Sequence, residues 1–257
     1  MWHHRAAGAG RPIVLLHGIG MSHAVWDPVV PFLTSTRTVV AFDVAGFGDT
    51  PPLPAGTPPT IANLAGALRE SIAALGLPLP IDVAGNSLGG SIALEAGVQG
   101  FARAIAAISP AGLWHTHDAP HVRCVFGALR FGATRMRPLI DAMMGSAWLR
   151  ELTLAVPLSA GSGRMPVAAA RGAVGDLARA AAFERTFANT RAPYVARGIR
   201  APVTVAFGGR DWILPARSRD RGALPAHTRW LEPPSWGHVP MWVDPAGVAG
   251  VILRGTR

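Results

Sequence analysis

A chain of 257 residues with 49% apolar composition is long enough for one sizeable α/β domain and can fill its core. Its 24 basic side chains are all arginine against 15 acids, a formal charge of +9, but they are dispersed rather than clustered with aromatics, which argues against a nucleic-acid partner. No apolar run approaches the roughly 18 residues that suggest a membrane span. The single cysteine, Cys124, excludes an intramolecular disulfide and a cysteine-based metal cluster.

The N-terminal stretch "MWHHRAAGAGRPIVLLHG" has too short an apolar run for a signal peptide, so a soluble, cytoplasmic protein without stable membrane insertion is expected. Strand-like runs follow at 12–18 ("PIVLLHG") and 38–43 ("TVVAFD"), then a proline-rich surface loop at 50–59 and a helix at 60–76. A strand at 81–85 leads into a helix at 88–100, and another strand-like run covers 104–109. After residue 200 come strands at 202–208 and 228–232 with a helix-like segment at 216–223 between them. These strand runs are continuously apolar, as in strands buried on both faces, and their alternation with helices predicts an α/β fold with a predominantly parallel sheet flanked by helices.

That alternation stops between 112 and 200, where helix-compatible stretches around 122–131, 138–155 and 166–188 are broken by Pro138, Pro157, Pro166 and Gly161-Ser162-Gly163. The interval reads as a helical insertion, giving a core of 1–111 and 201–257 and an insertion of 112–200. Arg123, Arg130 and Arg137 recur every seven residues and are expected on one outer helix face. Arg217, Arg219 and Arg221 beside Asp220 read as a second solvated face.

The stretch "DVAGNSLGGSIALEAG" sets Ser87 between a strand and a helix, within Gly85-Asn86-Ser87-Leu88-Gly89. A serine hydroxyl is a poor nucleophile at neutral pH and needs a base, a group to orient that base, and donors for an oxyanion. A G-x-S-x-G turn exposes such a serine, its small neighbours relieving contact between strand and helix.

Five markers in chain order, "LLHGIG", "FDVAGFGDT", "GNSLGG", "FGGRDWILP" and "PPSWGHVPMWVDP", resemble the α/β-hydrolase family, in particular its serine esterase-like branch with a helical cap. The resemblance implies Ser87 as nucleophile, His238 as general base and acid, and Asp211 as the carboxylate that orients it. It also implies an oxyanion hole from the backbone N–H groups of Ile19 and Leu88, with a register shifted to Gly20 as the alternative. His17 is expected to hydrogen-bond beneath that loop. Asp244 competes with Asp211, but "VDPAGVAG" reads as a helix start capped by Asp244, and Asp43 is expected to anchor the "GFGDT" loop.

Substrate-pocket candidates are Trp114, Phe126, Met144 and Trp148 from the insertion and Trp26, Trp212 and Val239 near the catalytic loops; packing is the competing role for each. His115, His117, Asp118 and His121 could ligate a metal, line a rim or be ordinary surface groups, and no complete metal-site spacing is present. A serine at the elbow argues against the epoxide-opening and dehalogenating branches. The expected activity is hydrolysis of a small or medium apolar carboxylic ester through an acyl-enzyme, with no cofactor and no metal. Other Ser-His-Asp chemistry (thioester cleavage, acyl transfer, carbon–carbon hydrolysis or perhydrolysis) shares these motifs, and a noncatalytic small-ligand receptor is the third class.

Overall fold

The apolar runs become β2 (Arg11–Leu16), β3 (Arg37–Phe42), β4 (Ile81–Asn86), β5 (Ala102–Ile108), β6 (Val203–Ala206) and β7 (Arg229–Leu231), all parallel, in a computed structural model that describes residues 1–114 and 120–257. A further strand, β1 (His4–Ala7), pairs antiparallel with β3 and completes a seven-stranded sheet in the order β1-β3-β2-β4-β5-β6-β7. Sequence reasoning missed β1 because it is a mostly exposed edge strand without an apolar run.

Successive side chains leave opposite faces of a strand, so Val14, Leu16, Val40, Val83 and Ile105 enter one apolar layer, and Ile13, Leu15, Val39, Ala84 and Ala106 enter the other. Helices α1 (Ile61–Ala74) and α2 (Leu88–Val98) pack into the first layer and α8 (Pro245–Gly255) into the second. Asp244 caps α8 by accepting from the Gly247 amide at 2.9 Å, and Pro245 occupies the first turn. Near the start of β4, the buried Asp82 carboxylate binds Arg37 and Arg103, each at 2.6 Å, and Arg11 at 3.2 Å. All three guanidinium groups also donate to the Thr256 carbonyl, which ties the end of α8 to three strands.

Strand β2 pairs with β3 on one side and β4 on the other, so the loops leaving their C-terminal ends diverge and open a crevice there. Between β5 and β6 the chain forms α3 (Pro120–Arg135), α4 (Arg137–Met143), α5 (Ala147–Leu154), α6 (Val167–Arg179) and α7 (Phe183–Asn189). Their own buried cluster is small: Ala133, Met144, Leu154, Met165, Ala170 and Val174. The Arg123/Arg130/Arg137 face does not exist as one surface. Arg137 begins a separate helix, and Arg130 turns inward to the carbonyls of Leu177, Ala178 and Ala180, which end α6, and to Glu184.

The segment 216–223 is two short 3₁₀ turns, Ala216–Ser218 and Arg221–Ala223, instead of a helix. Its arginines are not merely solvated: Arg219 lies 4.6 Å over the Phe207 ring and Arg221 5.2 Å over Trp230. The Arg217 side chain is outside the described set. Among the described residues, no helix is long and apolar enough to cross a membrane.

Candidate active site

Strand β4 ends at Asn86 and α2 starts at Leu88, which leaves Ser87 alone to make the turn. It does so at φ 53° and ψ −116°, a region disfavoured for L-residues, at a cost of about 1–3 kcal/mol. The surroundings hold it there: its N–H donates to the Ile108 carbonyl at 2.9 Å, and its carbonyl accepts from the Ser91 and Ala111 amides at 3.1 and 3.2 Å. The glycines are required by close approach. A Cβ on Gly85 would stand 2.1 Å from the Gly89 carbonyl oxygen, and one on Gly89 2.3 Å from that of Leu16.

Asp211 follows β6, and His238 sits in the loop between β7 and α8; both are buried. The His238 Nδ1–H donates to Asp211 Oδ2 at 2.9 Å, while Asp211 Oδ1 accepts from the amides of Ile213 and Leu214 at 3.0 and 2.8 Å. Burial by itself would raise the Asp211 pKa, but the charge and hydrogen bond of His238 and the Leu214 amide hold it below the usual carboxylate range. This bond leaves Nε2 of His238 as its other ring nitrogen, and His238 and Ser87 share the wall of one cavity. Asp244 is committed elsewhere, capping α8 and accepting from Trp236 Nε1 at 2.8 Å.

The loop after β2 brings Gly18 and Ile19 to the same place; a Cβ on Gly18 would lie 3.3 Å from that of Ser87. Among the described residues, neither the Ile19 nor the Leu88 amide has a hydrogen-bond acceptor. Below the loop, His17 Nδ1–H donates to the Gly18 carbonyl at 2.7 Å and Nε2 accepts from the Val44 amide at 2.9 Å, which fixes one neutral tautomer. Its complete burial lowers its pKa from 6.5 to about 4.

Asp43 accepts from the His23 amide and ring, the His3 ring and the Asp49 amide, bracing the "GFGDT" loop. Burial would raise its carboxyl, but those donors, His23 first, take it well below the ordinary range. The ligand atoms of His3, His23 and Asp43 lie within 4.8 Å of one another, but both Asp43 oxygens are already engaged by these donors, so the trio acts as a structural hub.

Above Ser87 lies a cavity of about 380 Å³ whose wall includes Ile19, Met21, Leu129, Val174, Leu177 and Val239, so it is overwhelmingly apolar. Phe126 borders it and also a smaller pocket, where Trp114 is found. Four aromatic or sulfur-bearing candidates take other places. Trp26 is fully buried in the apolar layer on the α8 side, and Met144 in the insertion's own cluster. Trp148 and Trp212 point outward, 70% and 69% exposed.

His115, His117 and Asp118 lie outside the described residues, and His121 donates from Nε2 to the Ile213 carbonyl at 3.2 Å. Three positioning contacts carried no sequence signal. Asn86 Nδ2 donates to the His238 carbonyl at 2.9 Å, and the insertion holds the histidine loop through Ser159 Oγ to the Gly237 amide at 2.8 Å and the Leu158 carbonyl to the Val239 amide at 2.9 Å.

The Ser87 turn, the bonded His238–Asp211 pair and the Gly18–Ile19 loop thus come together at the C-terminal ends of the strands of a mostly parallel α/β sheet. The chain belongs to the alpha/beta hydrolase family, whose profile it matches over residues 13–251. It is 38% identical over 90 residues to the pimeloyl-[acyl-carrier protein] methyl ester esterase of Methylococcus capsulatus, a match covering 35% of this chain and 32% of that protein. It is 39% identical over 98 residues to the 2-hydroxy-6-oxo-2,4-heptadienoate hydrolase of Pseudomonas putida, covering 36% and 34%. These matches span about a third of each curated relative. Among solved structures, the enol-lactonase from Burkholderia xenovorans superposes with a TM-score of 0.72 over 98% of this chain and 95% of that one at 21% identity. A carboxylesterase from Bacillus subtilis gives 0.71 over 98% and 86% at 21% identity, and at such identities the likeness concerns the fold.

Proposed function

We propose that the protein is a serine hydrolase of carboxylic esters of small or medium apolar substrates, working through an acyl-enzyme, with residues 112–200 as a cap over the site. The observation that carries this reading is the meeting of Ser87 and His238 on one apolar cavity wall, with Asp211 bonded to the far side of the imidazole. His238 takes the Ser87 proton as Oγ attacks the acyl carbon, and the amides of Ile19 and Leu88 stabilise the oxyanion. The imidazolium then protonates the departing alcohol. Water, deprotonated by the same histidine, releases the acid and restores Ser87. Asp211 stays ionised throughout and supports the imidazolium.

The chemistry of the nucleophile separates this reading from epoxide opening, the activity named for a Corynebacterium relative that is 38% identical over 92 residues. Attack by Ser87 on an epoxide would leave an ether, which water does not cleave under these conditions, whereas attack on an ester leaves an ester. Carbon–carbon hydrolysis of a dienoate acid would need a cation to receive the carboxylate; none lines the large cavity among the described residues, but Arg191 lines the smaller pocket beside Ser87, so assay on the two substrate types, and not the lining, separates that chemistry from ester cleavage. Replacement Ser87→Ala is expected to lower kcat on simple aliphatic esters by about 10⁶ with the thermal melt retained. Turnover kept within tenfold would remove Ser87 as nucleophile.

A further inference from the structure

Two cavities meet at Ser87, and only one of them reaches the histidine. The larger, about 380 Å³, has His238 and Val239 on its wall. The smaller, about 40 Å³, is bounded by Ile19, Leu88, Trp114 and Arg191 and, among the described residues, not by His238. Ser87, Ile19, Phe126 and Ile213 border both.

We infer that the small pocket receives the acyl chain and the large cavity the leaving alcohol, so the favoured substrates are short-chain acyl esters of bulky apolar alcohols. The inference rests on the serine-hydrolase reading above. When Oγ has bonded to the acyl carbon, that carbon carries three other substituents whose directions the site dictates. The oxyanion points to the Ile19 and Leu88 amides. The ester oxygen must accept the proton that His238 took from Ser87, so its alkyl group lies on the histidine side, in the large cavity. The acyl chain takes the remaining direction, past Ile19 and Leu88 into the small pocket.

Volume then sets the chain lengths. A water-sized group needs about 10–15 Å³ of this kind of space, so the small pocket admits an acetyl or propionyl tail and excludes a long one. The large cavity, roughly nine times the volume, takes an alcohol much longer than that tail, an octyl chain included. In acylation the Oγ–C bond forms and the C–O bond to the alcohol breaks, the alcohol leaving with the proton from His238. Its departure empties the cavity beside the histidine, and water enters where it can be deprotonated. Its oxygen bonds to the acyl carbon, the Oγ–C bond breaks, and the proton returns through His238 to Ser87.

Octyl acetate and ethyl octanoate are isomers, so they separate orientation from hydrophobicity. The wild-type protein is expected to hydrolyse octyl acetate with a kcat/KM at least about tenfold higher, since even a one-methylene misfit costs about 10–200-fold. Trp114→Ala, which lengthens the small pocket, should narrow that ratio by gain on ethyl octanoate. Phe187→Leu, at the same pocket, serves if Trp114→Ala does not fold. Equal rates, or preference for ethyl octanoate, would overturn the orientation while leaving the esterase reading intact. If neither isomer is cleaved by folded protein, the ester reading fails and the inference with it.

Discussion

The sheet and the insertion are held together by different means. The sheet sits between two continuous apolar layers and is cross-tied by one buried carboxylate and three arginines. The insertion's own apolar cluster has only six buried side chains among the described residues, and it relies on polar links to backbone: Arg150 donates to the carbonyls of Met144 and Gly163, and Glu151 accepts from the amides of Gly161 and Gly163. Ser87, Asp211 and His238 stand on loops of the sheet, while much of the large cavity wall belongs to the insertion. Such a division lets the lining away from the Leu158–Ser159 contact vary without disturbing the proposed reacting groups, as expected where loops and insertions on a rigid scaffold set specificity.

The contrast can be broken first at Asp82. Asp82→Ala strands the buried Arg37 charge and should destabilise the fold by about 3–5 kcal/mol in urea unfolding. A loss under 1 kcal/mol would mean that the arginines find other partners, and the sheet's cross-tie would lose its importance. The next effect is pH-dependent. Because the folded pKa of His17 is depressed from 6.5 to about 4, the unfolded chain binds the extra proton between those values. Stability is therefore expected to be undiminished above pH 6.5 and to fall by on the order of 3 kcal/mol as pH drops towards 4. His17→Gln, which keeps a donor and an acceptor but gains no proton, should flatten that slope; an unchanged slope would assign it to other groups.

The insertion is expected to respond through function more than stability. Ser159→Ala leaves the Gly237 amide without its acceptor and should lower kcat by about tenfold, the equivalent of one net hydrogen bond at the histidine loop. A loss confined to KM would show that the contact does not position His238. Smallest of all, Trp148→Ala removes a side chain 70% exposed and is expected to change stability by less than about 0.5 kcal/mol, with ester turnover retained. A large loss would show that the outer face of α5 has a partner.

The readable parts of the chain were those where backbone needs constrain residue type. Continuous apolar runs marked five of the parallel strands because both faces are buried, β7 being only partly so, and the Gly85-x-Ser87-x-Gly89 pattern stood out because strand and helix backbones touch there. Asp244 was readable as a cap because proline follows it. What the chain concealed depends on three-dimensional direction. A tryptophan's composition says that it will pack, but Trp26 and Trp212 went to opposite extremes, one fully buried and one 69% exposed. Arg130 looked solvated because its partners are three carbonyls and a glutamate over 50 residues away, which no local residue pattern reports. Ser159 lies in a serine- and glycine-rich turn some 80 residues before the loop it holds, and nothing local distinguishes it.

The central claim is that Ser87 is an activated nucleophile, and labelling by a serine-directed fluorophosphonate followed by intact-mass analysis addresses it most directly. The native protein is expected to gain a single adduct, Ser87→Ala none, and His238→Gln one that forms far more slowly. An adduct on Ser87→Ala, or none on folded native protein, would contradict it.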